Sequence, residues 1–224
     1  MNALNRDSDV VQGIVKYLDS HDSFDEDRRR WLFAIDSNKD YPHAIWWKKK
    51  GDGISGFNPS ISLAAFLICY GSRTSFYEEI VKEGFEYLEN TEEIGGDSLK
   101  CFMLAYELLK GTGINDIIDL ETFKRRLCKA VESAVCRDVE KYGVEYVPLP
   151  SDFFSGMYSD FITPEIIPLI KAEKSVLEEM QMEDGGFDIT WKWFTPYPEE
   201  YEQARAWWRP RITIEKLLFN EMRI

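Results

Sequence analysis

The sequence predicts an all-α chain of helical hairpins laid side by side, and three observations carry that prediction. Helix start and stop signals recur along the 224 residues while strand signals are few. Apolar patterns alternate between segments that are apolar nearly all round and segments with one wet face. Residues 176–187, Val-Leu-Glu-Glu-Met-Gln-Met-Glu-Asp-Gly-Gly-Phe, read as a helix end running into an acidic turn with two glycines and an aromatic, the signature of a repeat unit rather than of catalysis. The length favours one domain, 1–224, with one well-buried core.

The elements follow in order. Ile14–Leu18 ends a first helix before Ser20 and His21. Arg28, Arg29 and Arg30 follow Asp25, Glu26 and Asp27 directly and read as a neutralised surface loop, as Lys48–Lys50 read as a solvated run before Gly51. Asn58-Pro59 supplies an N-cap with Pro at the first helical position, and residues 60–70, apolar on every side, form an inner helix that stops at Gly71. Tyr77, Ile80, Val81, Gly84, Phe85 and Leu88 recur at helical spacing among glutamates, as an outer helix does. Asp97 caps a second inner helix, 99–109, stopped by Gly111. Phe123, Leu127, Ala130, Val131 and Ala134 mark a second outer helix, and Thr163-Pro164 and Thr213 read as two further starts.

Composition excludes several functions. A formal charge of -13 repels nucleic-acid phosphates and anionic headgroups, so no nucleic-acid partner is expected. No run approaches 18 uncharged apolar residues, so no membrane insertion is expected. Cys69, Cys101, Cys128 and Cys136 lack metal or redox spacing and fall inside helical runs, and the N-terminus has no apolar leader, so the chain reads as cytoplasmic and reduced. Oligomeric state is left open.

The turn Gln181-Met-Glu-Asp-Gly185-Gly186-Phe187 resembles that of the α/α-toroid superfamily of squalene and hopene cyclases, other terpenoid cyclases and protein prenyltransferase β subunits, with Phe in place of Trp. Tyr41-Pro-His-Ala-Ile-Trp46-Trp47, Asn58-Pro59, Trp191-Lys-Trp193 and Ala206-Trp207-Trp208 look like uncharacterised bacterial proteins of this kind. The resemblance implies an α/α toroid with inner and outer helices, and the counted helices, roughly four hairpins, make it an incomplete one. It implies a structural role for Gln181, Gly185 and Gly186, tying one hairpin to the next.

The superfamily's chemistry does not carry over. Asp-x-Asp-Asp, Asp-Asp-x-x-Asp and the Asp, Cys and His zinc ligands are all missing, and the two histidines, His21 and His43, precede every cysteine. No metal and no cofactor is therefore expected, and whether the protein is an enzyme stays open. What remains is a concentration of aromatics in two long connections: Tyr41, Trp46 and Trp47 in one, Trp191, Trp193, Tyr197, Tyr201, Trp207 and Trp208 in the other. If both cover one end of the scaffold they wall a pocket suited to an apolar or cationic ligand. Large loop aromatics also commonly plug the end of a helical ring. The candidate ligand-binding residues are His43, Trp46, Trp47, Asp188, Trp191, Trp193 and Trp207, with Asp152 and Asp160 the next carboxylates. The preferred expectation is an apolar, isoprenoid-like small molecule bound or transformed in an aromatic cavity. A carbohydrate-processing toroid and a non-catalytic protein-interaction scaffold are the alternatives.

Overall fold

The computed structural model describes residues 5–156, 158–189 and 195–224. Among these the chain is mostly helical, with eight α-helices and one two-stranded hairpin. It divides into two compact units, Met1–Tyr41 with Trp46–Leu127, and Pro42–Ile45 with Cys128–Ile224.

In the first unit α1 (Asp9–Asp19) begins at Ser8, whose hydroxyl accepts from the Val11 amide, and buries Val11, Val15 and Leu18 at i, i+4 and i+7. The hairpin of β1 (Phe24–Asp25) and β2 (Arg30–Trp31) follows. The arginine run around it is not neutralised by its neighbours alone. Arg29 pairs with Glu79 and Glu83, and Arg30 pairs with Glu83 while lying 3.5 Å over the Phe57 ring, so the run fastens the hairpin to α3 (Ser75–Asn90).

The two runs expected as inner helices form α2 (Ser60–Tyr70) and α4 (Gly96–Leu109). They pack against each other, and α2 also packs on α3. Both are buried on much of their circumference, as apolar residues on nearly every side require, whereas α3 buries only Tyr77, Ile80, Val81, Gly84 and Leu88. Gly84 is the close point of α3 on α2, since a Cβ there would lie 2.5 Å from Ile61 Cδ1. Two capping expectations shift. The position before α2 is Pro59, joined to Asn58 by a cis peptide, and the Asn58 side chain instead accepts from the Cys101 thiol at 3.4 Å. α4 is entered through Gly95, leaving Asp97 in its first turn beside Lys100, where a carboxylate still favours the helix dipole.

The division between units falls within α5 (Leu120–Ala134), between Leu127 and Cys128. The second unit continues with α6 (Pro150–Phe153), α7 (Ile167–Met180) and α8 (Pro198–Glu221). α7 starts about one turn after Thr163-Pro164. Thr213 is no start at all: it lies inside α8, which runs unbroken through Pro210. Ile170, Glu173 and Leu177 share the buried face of α7, and Glu173 is only 1% exposed. That carboxylate accepts from the Ser151 amide (2.8 Å), the Ser151 hydroxyl and Lys216 Nζ (2.9 Å), while Lys216 also donates to the Ser151 hydroxyl. One buried polar knot thus joins α6, α7 and α8.

The turn after α7 forms as its residues dictate. Gln181 is the C-cap, its side-chain amide donates to Gly185 O at 2.8 Å, and Gly185 takes φ +80°, which favours glycine. Phe187 is buried and its amide donates to Thr213 Oγ1 at 3.0 Å, so the turn is tied to α8.

Candidate functional site

The turn is followed by Asp188, which is joined to α8. Asp188 accepts two bonds from Arg205 of α8, Nε at 3.1 Å and Nη2 at 2.7 Å, and one from the Ile189 amide at 2.7 Å. The Arg205 guanidinium therefore holds the Asp188 carboxyl below the usual carboxylate range, and Asp188 raises Arg205 in return. Tyr201 and Arg205, at i and i+4, share one face of α8, and Tyr197 is the residue immediately before the helix. Burial, the largest influence, pushes the Tyr201 phenol up.

His43 reaches the start of α8 from far away in sequence. Its ring centroid lies 6.0 Å from that of Tyr197, tilted by 48°, and both rings are half-buried. This contact is where the two aromatic-rich connections meet, within the second unit.

The other expected residues are placed differently. Trp46 and Trp47 belong to the first unit, where Trp47 stacks on Phe33 at 5.1 Å and stays 44% exposed. Trp191 and Trp193 lie outside the described residues. Trp207 is not in an irregular connection but on α8, 71% exposed. Asp152 accepts from the Leu149 amide at 2.8 Å and caps α6, and Asp160 sits in a short 3₁₀ turn, Ser159–Phe161. Arg205 was missed by sequence reading. The available signal was its spacing from Tyr197 and Tyr201, masked because that stretch read as a loop.

A cleft of about 610 Å³ in the first unit is lined by Arg6, Cys69, Arg73, Glu107 and Lys110, among others. Its cations are engaged: Arg6 on the carbonyls of Tyr70 and Gly71, Arg73 on Glu78 and Asp116, Lys110 on Glu107. His21, the other histidine, stacks on Phe24 at 4.6 Å and Phe76 at 5.3 Å with Nδ1 2.7 Å from Glu26, an aromatic packing role for the hairpin. Among the described residues no three side chains are grouped to hold a metal ion, and no helix is long and apolar enough to cross a membrane. Comparison with protein-family models, curated proteins and solved structures returns no match.

Proposed function

We propose that the protein is an α/α-toroid-like helical protein that binds an apolar, isoprenoid-like small molecule, with the His43, Tyr197 and Tyr201 face of the second unit as its platform. The observation that supports this reading best is the ring contact between His43 and Tyr197, because it joins two connections whose shared property is aromatic content. Flat half-buried rings offer area to an apolar chain, and the Arg205–Asp188 pair beside them supplies one polar end that can orient a hydroxyl or headgroup. The reading is one of binding. Asp188 is ionised and doubly engaged by Arg205, which is the wrong state for protonating an alkene. The carbohydrate alternative needs two available carboxyl groups, and the engagement of Asp152 and Asp188 lends it no support.

Native mass spectrometry of protein purified from its own host, followed by titration with farnesol, tests the proposal. A retained small apolar molecule, or saturable farnesol binding lost in a His43→Ala/Tyr197→Ala variant that melts like the parent, supports it. No retained molecule together with no saturable binding overturns it.

A further inference from the structure

The polarity of α8 is inverted for a surface helix. At 3.6 residues per turn, Arg205, Arg209, Thr213, Lys216 and Phe219 share one side, and these are the residues that hold α8 to its own unit. Arg205 and Arg209 pair with Asp188 and Asp184, Thr213 accepts from the Phe187 amide, Lys216 pairs with Glu173, and Phe219 is fully buried. Trp207, Arg211, Ile214 and Leu218, at i, i+4, i+7 and i+11, form the opposite side. Trp207 is 71%, Ile214 59% and Leu218 47% exposed, with Leu217 beside them at 42%. Apolar surface thus runs for about 16 Å, interrupted by Arg211 and with Leu218 lying against Gly156 at its end, on the side that an anchored helix normally leaves polar.

We infer that this stripe is an isologous interface for a second copy of the chain, with α8 pairing antiparallel to α8. The charges on the face select that occupant and direction. Arg211 and Glu215 lie on the same flank of the stripe, 74% and 39% exposed, paired with each other at 3.0 Å. Antiparallel pairing across a two-fold axis lays Trp207 of one copy over Leu218 of the other, brings the Ile214 side chains near the centre, and sets Arg211 beside Glu215 of the second copy. Two reciprocal ion pairs then close the rim. Parallel pairing forms neither. An anionic bilayer is the poorer occupant, because the face offers one arginine and the chain carries a net charge of -13. The stripe is short, so the dimer is a weak, reversible one.

Sedimentation equilibrium of the full chain between about 1 µM and about 1 mM tests the inference. A monomer–dimer equilibrium is expected, abolished by Trp207→Glu with unchanged melting, since that side chain meets solvent in the monomer. Arg211→Glu and Glu215→Arg should each weaken the dimer about tenfold, and the double exchange should restore it. A monomer at every concentration, a dimer indifferent to Trp207→Glu, or a double exchange no better than the single ones overturns it.

Discussion

At the scale of single residues, Glu173 shows how a charge is kept inside an apolar face. Its carboxylate is 1% exposed between Ile170 and Leu177, and its two oxygens take an amide, a hydroxyl and an ammonium. Removing one partner leaves the others desolvated without compensation, so Lys216→Met or Glu173→Gln should each cost about 3 kcal/mol, read as a lower urea midpoint at constant slope. Replacing both by Met should cost clearly less than the sum. A double variant as damaged as the sum would show that the pair is not one unit. Asp188 adds a pH dependence whose sign is fixed. Its folded-state titration is depressed, first by the Arg205 hydrogen bonds, so its contribution is present above the ordinary aspartate range near pH 4 and is lost as pH falls below it. For a partly exposed pair this amounts to about 0.5–1 kcal/mol. Asp188→Asn should therefore lower the melting temperature by about 1–4 °C at pH 7 and by progressively less as the pH falls below about 4. A difference that persists in acid would assign the effect to something other than the carboxylate charge.

At the scale of elements, α8 decides how far the sequence could be read. Helices α2 and α4 were legible because burial on most sides demands apolar residues on most sides, which no turn would carry. The Gln181 turn was legible because a left-handed position favours Gly185. α8 was not, because Pro210 normally ends a helix and the aromatics before it suggested a loop, which also hid the Tyr201 and Arg205 face. Its continuation has a physical reason: Ala206, whose carbonyl loses its i+4 donor at Pro210, is exposed, as is Pro210 itself, so water can serve that carbonyl. The anchors on either side of Pro210, Arg205 and Arg209 before it and Thr213 and Lys216 after it, then hold both halves in register. Pro210→Ala should restore the missing bond and stabilise the chain by about 1–3 kcal/mol, seen as a rise in melting temperature. A fall would mean that the local geometry set by Pro210 is needed for these anchors to reach.

At the scale of the whole molecule, stability is distributed unevenly, and the reason lies in the kind of contact rather than the number of helices. α2 and α4 bury apolar side chains on much of their surface, whereas the 24-residue α8 fully buries Phe219 alone and is held mainly by ion pairs and hydrogen bonds. The division of the chain inside α5 was not legible either. The stripe Phe123, Leu127 and Val131 continues across it without a glycine, a proline or a change of composition to mark a boundary. Apolar burial is indifferent to moderate salt, while partly exposed pairs such as Arg205–Asp188 and Arg209–Asp184 are screened by it. Hydrogen exchange at low micromolar concentration should therefore find the amides of α2 and α4 exchanging only on global unfolding, and those of α8 opening locally at lower free energy. Raising sodium chloride from about 50 mM to about 500 mM should speed exchange in α8 and leave α2 unchanged. Equal protection of the two helices, or a salt response confined to α2, would mean that Phe219 and the Glu173 knot hold α8 by themselves and that the outer ion pairs contribute nothing.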